Sequence, residues 1–264
     1  MKLKAVLFDL DDTLLWDERS VKEAFQATCE AAKQYYPLSA EELEAAVREE
    51  ARALYETYDF YPFTCNIGIN PFEGLWGNFN DEKPEEFVRM KETVPSYRSD
   101  AWTRGLRKIG IDDAALGKQL GERFPAERRA RSFVYPDTYS VLDALKGNYK
   151  LLLLTNGSPD LQQEKLNAEP KLKQYFDHIV ISGDFGAGKP AKALFEHVMN
   201  LLDIDASEGM MVGDKLTTDI KGANGVGMPS VWINHHKTEA VEANPTYEIA
   251  ALGELLEVIE KHNR

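Results

Sequence analysis

The chain has 264 residues, 43% of them hydrophobic and 28% charged, with a formal net charge of −13. That mixture suits a soluble globular protein of one large or two modest domains. The acidity argues against a nucleic-acid polymer as partner, because duplex binding needs a basic footprint, but a few local cations could still meet a small phosphorylated metabolite.

From the amino terminus, Met1-Lys2-Leu3-Lys4 leads into the apolar run Ala5-Val6-Leu7-Phe8, which Asp9 stops. The run is too short for a signal-peptide core. No stretch approaches the roughly 18 apolar residues of a membrane span, so no membrane partner is expected and the cytoplasm is the expected location. Residues 6–8 read as a buried parallel strand, and open α/β sheets build their sites at the carboxyl ends of such strands. That end carries Asp9-Leu10-Asp11-Asp12-Thr13. Asp9 and Asp11 share one face if the backbone stays extended. At about 4 Å and an effective dielectric near 20 their repulsion is roughly 4 kcal/mol, which a bound cation would relieve. Taken alone, the stretch reads equally well as an Asp- and Thr-rich turn capping the next helix.

From about Ser20 to about Arg131 the periodicity is helical. Val21, Ala24, Phe25 and Thr28 form one stripe, and Leu43, Val47, Ala51, Leu54 and Tyr58 another, with Ser39 and Glu42 spaced as a capping box. Residues 17–131 therefore read as an inserted helical domain, and residues 1–16 with 132–264 as an α/β core. The aromatic stretch 60–72 breaks the rhythm and reads as an irregular connector. Arg98 and Trp102 read as packing or solvated face, as does Arg104. Cys29 and Cys65, far apart, read as free thiols of a reducing compartment.

Beyond the insertion, apolar runs at 151–154, 179–181, 210–212 and 231–233 alternate with helical patterns, which implies βαβ units and a mainly parallel sheet. Leu194, Phe195, Val198, Leu201 and Leu202 form one such helix, with Pro190 as an early helical residue; Leu252, Leu255, Leu256 and Ile259 form another. The first of these strands ends in Thr155-Asn156-Gly157-Ser158-Pro159, placing the Thr155 hydroxyl and the start of a helix near Asp9. Next, Gly183 to Lys189 matches a phosphate-binding P-loop, yet Pro190 stands where Ser or Thr must ligate magnesium, so that reading fails. Lys189 serves better as a fixed ammonium among the carboxylates. Gly213-Asp214 closes the following strand, and Asp219 would reach back from the first helical turn. His235-His236 reads as a polar loop rather than a zinc site, since adjacent side chains diverge and no Cys is near.

In order and placement these four segments resemble the motifs of the haloacid dehalogenase superfamily: Asp9 to Thr13, Thr155-Asn156, Lys189-Pro190, and Gly213-Asp214 through Asp219. The resemblance spans essentially the whole chain, and it implies a Rossmann-like parallel core with an all-helical cap. Leu154-Thr155-Asn156-Gly157, Tyr175-Phe176-Asp177 and Val231-Trp232-Ile233-Asn234 are similar to two phosphatase branches, the N-acylneuraminate-9-phosphatases and the pyrimidine nucleotidases. Lys215 stands where those branches usually carry Ser or Thr.

The resemblance implies a Mg²⁺-dependent phosphomonoesterase. Asp9 would be the nucleophile that forms an aspartyl-phosphate, and Asp11 the acid and base, oriented by Thr13. Asp9, Asp214 and the backbone carbonyl of Asp11 would hold Mg²⁺, supported by Asp219. Thr155, Asn156 and Lys189 would hold the phosphoryl oxygens. A dehalogenase would be expected to lack the Asp11 carboxylate, because a departing halide needs no proton. A phosphomutase would carry Gly-Val in place of Asp12-Thr13. A receiver-like phospho-acceptor would be much shorter and lack the insertion, and a catalytically dead binding protein would not keep the Asp9, Asp11, Lys189 and Asp214 set intact. The pattern sets neither the organic part of the substrate nor the oligomeric state.

Overall fold

The computed structural model describes residues 2–264. The chain divides into two compact units: residues up to Asp17 together with Phe133–Arg264, and the insertion Glu18–Ser132. The first unit is a six-stranded sheet of β1 (Ala5–Phe8), β2 (Lys150–Thr155), β3 (His178–Ile181), β4 (Gly209–Gly213), β5 (Ser230–Ile233) and β6 (Tyr247–Ile249). Their order is β3-β2-β1-β4-β5-β6, and every neighbouring pair is parallel. The five expected strands are present; β6, with three residues and an exposed Glu248, is additional.

Alternation along the central strands buries both faces. Val6, Phe8, Leu151, Leu153, Met210 and Val212 pack on one side with Val141, Leu255 and Ile259. Ala5, Leu7, Leu152, Leu154 and Met211 pack on the other with Leu194, Phe195 and Val198. Each such leucine, fully buried, contributes roughly 1.5–3 kcal/mol. The expectation for Pro190 is revised, because the helix starts only at Lys192. Asn156 grips the Lys189 peptide from both sides, and a turn from Gly188 O to Ala191 N intervenes, so the chain cannot become helical earlier.

The inserted unit carries helices and no strand. Ser39 caps the Ala40–Tyr55 helix by accepting from the Glu42 N–H, while its hydroxyl donates to Glu41 rather than forming the reciprocal box with Glu42. The aromatic stretch is more regular than expected: Tyr61–Ile67 is helical and ends on Gly68 at φ 81°. Asn70 and Glu73 then cap Pro71–Gly74. Trp102 is core, packed with Phe25 and Phe124 at 5.8 and 5.9 Å between ring centroids. Among the described residues no helix is long and apolar enough to cross a membrane.

Candidate active site

The chain runs from β1 through β2 to β3 on one side of the sheet and resumes with β4 on the other side of β1. Strand order therefore reverses between β1 and β4, the crevice in which open α/β sheets bind ligands. Asp9 follows β1 and donates its N–H to Val212 O at 3.0 Å, continuing the ladder by one residue. Asp214 follows β4, and Trp232 of β5 fixes its carbonyl through an indole N–H bond of 2.8 Å. Asp219 comes not from an ordinary first helical turn but from a π turn, Leu216–Ile220, a widened turn often found at functional sites. Its Oδ2 accepts the Lys215 N–H at 3.1 Å. A Cβ on Gly213 would lie 2.2 Å from that oxygen, so only glycine leaves room for Asp219.

One carboxylate oxygen from each of Asp9, Asp214 and Asp219 lies within 4.8 Å of the others. Lys189 enters the same cluster, buried, with Nζ 2.6 Å from Asp9 Oδ1, 2.8 Å from Leu154 O and 2.7 Å from Asp219 Oδ1. The last contact is an ion pair without hydrogen-bond alignment. Burial works against the Lys189 charge, but Asp219 and Asp9 outweigh it and raise the pKa. One buried ammonium does not balance three carboxylates. Burial, only partly offset by Lys189, pushes Asp9 up to about 6. Burial likewise holds Asp214 well above the usual carboxylate range, although the exposed Lys215 opposes it. Asp214 Oδ1 is buried without a hydrogen-bond partner among the described residues. Clustered hard oxygens with an uncompensated negative charge and a spare lone pair fit a divalent cation of the magnesium class.

Asp11 stands apart from that cluster. Its Oδ2 accepts from Lys165 Nζ at 2.8 Å and from Gln162 Nε2 at 3.1 Å. Burial alone would raise its pKa, but Lys165 and Gln162 overcome that and lower it. Asp11 Oδ1 is buried and has no hydrogen-bond partner among the described residues. Thr13, expected to orient Asp11, does not do so: its buried hydroxyl bonds to none of the described residues. Thr155 Oγ1 accepts from Gln162 Nε2 at 2.6 Å. The Asn156 side chain is committed to the Lys189 peptide, accepting its N–H at 2.8 Å and donating to its carbonyl at 3.0 Å. It thereby positions Lys189.

Lys165 and Gln162 escaped the sequence reading altogether, and Trp232 and His235 were read there without a part in the site. His235 belongs to no acidic or metal-ligand cluster among the described residues. Its Nε2 lies 2.8 Å from the carbonyl of Asp12, whose φ of 59° is in the left-handed region. The ring stacks on Tyr135 at 4.7 Å, and Tyr135 stacks on Trp16 at 5.1 Å. The imidazole thus braces the tight turn behind the carboxylates.

A doubly wound parallel sheet with acidic side chains and a buried lysine gathered at its reversal point defines an α/β protein whose site lies at the carboxyl ends of its central strands. The family model for haloacid dehalogenase-like hydrolases matches residues 3–227, and the chain belongs to that family. Among its relatives, the phosphoserine phosphatase of Thermus thermophilus is 32% identical over 255 residues, 96% of this chain and 98% of that one. The N-acylneuraminate-9-phosphatase of Mus musculus is 31% identical over 65% of this chain and 71% of its own. The crystal structure of the HAD-hydrolase YfnB from Bacillus subtilis, bound to magnesium, aligns with a TM-score of 0.64 at 25% identity. That alignment covers 98% of this chain and 99% of the other.

Proposed function

We propose that the protein is a Mg²⁺-dependent phosphomonoesterase that hydrolyses a small phosphorylated metabolite through an aspartyl-phosphate on Asp9. The observation that carries this reading is the meeting of Asp9, Asp214, Asp219 and Lys189 at the sheet reversal, beside a separately held second carboxylate, Asp11. The phosphatase relatives and the magnesium-bound neighbour support it.

In the first step an Asp9 oxygen attacks phosphorus and the bond to the ester oxygen breaks, its electron pair leaving with that oxygen. Asp11 donates the proton the alkoxide needs; the phosphoryl anion, a like charge beside it, favours its protonated form beforehand. Asp11 then takes a proton from water as that water attacks phosphorus, releasing phosphate and regenerating the Asp9 carboxylate. The Thr155 hydroxyl and Lys189 ammonium hold phosphoryl oxygens, with Asn156 keeping Lys189 in place. Asp9, Asp214 and the Asp11 carbonyl, backed by Asp219, would hold Mg²⁺, which supplies charge neutralisation at the phosphoryl group.

The test is kcat/KM against a panel of phosphomonoesters with and without EDTA. Turnover should vanish on chelation and return with Mg²⁺. Asp9→Asn should lose at least about a thousandfold in rate, within the range of enzymic enhancement, while its thermal unfolding stays cooperative. A folded Asp9→Asn protein that still turns over overturns the assignment.

A further inference from the structure

Two side chains of the Pro159–Ala168 helix touch Asp11 and Thr155, and the role inferred for them rests on the phosphomonoesterase reading. Ser158 caps this helix by accepting the Leu161 N–H, with Pro159 at its first position. Three residues apart, and so on one helix face, Gln162 and Lys165 both point inward. Gln162 is fully buried and the Lys165 side chain is 2% exposed. Such side chains normally face water, and ammonium groups are almost never buried without a partner. Here the partner is Asp11. The Lys165 ammonium lies 2.8 Å from Asp11 Oδ2, and Asp17 is at 4.0 Å.

Gln162 places its amide nitrogen between two groups of the site, 3.1 Å from Asp11 Oδ2 and 2.6 Å from Thr155 Oγ1. Both amide hydrogens are thereby used. The reverse amide orientation would set Oε1 against a carboxylate oxygen, so the donor assignment follows from chemistry. Gly157, at φ 143°, makes the arrangement possible, since a Cβ there would fall 3.0 Å from Gln162 Cγ. Because Thr155 Oγ1 already accepts from Gln162, its own hydrogen must point elsewhere. Its bond to Asn156 O is long, at 3.4 Å.

We infer that Lys165 and Gln162 are positioning residues that tie Asp11 by Oδ2 so that Oδ1 alone exchanges protons with the leaving group, while Gln162 also aims the Thr155 hydroxyl hydrogen at the phosphoryl group. Asp11 Oδ1 is the oxygen buried without a hydrogen bond among the described residues. It gives its proton to the ester oxygen as the P–O bond breaks and recovers one from the attacking water.

The experiment is kcat/KM over aryl phosphates from phenyl to p-nitrophenyl phosphate, a quantity that stops at leaving-group departure. Phenolate needs a proton more than p-nitrophenolate does. In Lys165→Met, kcat/KM should fall about tenfold more for phenyl phosphate than for p-nitrophenyl phosphate, a share of the general-acid effect. Lys165→Arg should recover most of the difference. Gln162→Met should weaken competitive inhibition by inorganic phosphate about fivefold, as for one lost hydrogen bond. Thr155→Val should do the same, and the double variant should lose no more than either.

Equal losses on both esters in a folded Lys165→Met protein, or no loss at all, overturn the inference. Should Lys165→Met not fold, the Lys165→Met/Asp11→Asn protein is compared with Asp11→Asn. Equal leaving-group slopes are then expected, and a steeper slope in the double variant overturns the inference. A wild-type protein inert towards every aryl phosphate, and no different from Asp9→Asn, would instead remove the phosphomonoesterase reading itself.

Discussion

Gly213 and Asp219 compete for the same volume, and glycine resolves the contest in favour of the carboxylate. Gly213→Ala should therefore displace Asp219, costing about 1–3 kcal/mol as an overpacked core position does. The rise in melting temperature on adding Mg²⁺ should shrink with it. Thermal denaturation with and without the ion checks this; an unchanged Mg²⁺ response in the variant would contradict it. At this scale Asp9 and Asp214 were legible because each closes an apolar run and Asp11 lies two residues beyond Asp9, whereas Lys189 and Asp219 come later, on the connections that leave β3 and β4; strand ends in a doubly wound sheet face one crevice. Lys165 and Gln162 were not. On a helix, glutamine and lysine read as solvent-facing, and the only available signal was their three-residue spacing just beyond Ser158-Pro159. Thr13 misled because nearness in sequence to Asp11 does not place its hydroxyl on that carboxylate.

Among the elements, the Pro159–Ala168 helix matters most, since it holds Lys165 and Gln162 and through them two site residues. Its start depends on Ser158, fully buried, whose oxygen accepts the Leu161 N–H at 3.2 Å. Ser158→Ala should cost about 1 kcal/mol of stability, read by denaturant unfolding. It should also depress kcat more than it raises KM, because the shifted helix carries Lys165 and Gln162 with it. A stability loss with kcat untouched would mean that the helix tolerates the missing cap without moving. The buried strands were readable as uninterrupted apolar runs. β6 was not, because three edge residues give no period to detect. The 60–72 stretch misread for a different reason: its two prolines, Pro62 and Pro71, each occupy the first turn of a short helix, where a missing N–H does no harm.

For the molecule as a whole, the acidic cluster links charge to stability. A carboxyl whose folded pKa is raised binds its proton more tightly in the native state, so stability is fully present below the unfolded value and lost as pH rises through the folded one. For Asp9 that window runs from 3.8 to about 6, worth roughly 3 kcal/mol, and Asp214 acts in the same direction. Asp11, with its lowered pKa, acts oppositely at more acid pH. The metal-free protein should thus melt at a lower temperature at pH 7.5 than at pH 5, and saturating Mg²⁺ should raise the melting temperature more at pH 7.5. Calorimetry across that range checks both; an Mg²⁺ response independent of pH would disconnect the carboxylates from the ion.

The backbone leaves the sheet and returns to it at one spot. Trp16 N–H bonds to Phe133 O, Tyr135 N–H bonds to Leu14 O, and Leu15 pairs antiparallel with Val134. The doorway is already zipped shut, so the length of chain beyond it scarcely matters to the strands: doubling a loop adds only about 0.6 kcal/mol of closure entropy. A hairpin-sized turn could replace all of Glu18–Ser132, or a quite different set of helices could be spliced there, without disturbing a single strand register. The strand registers and the inserted helices can then drift independently along one polypeptide.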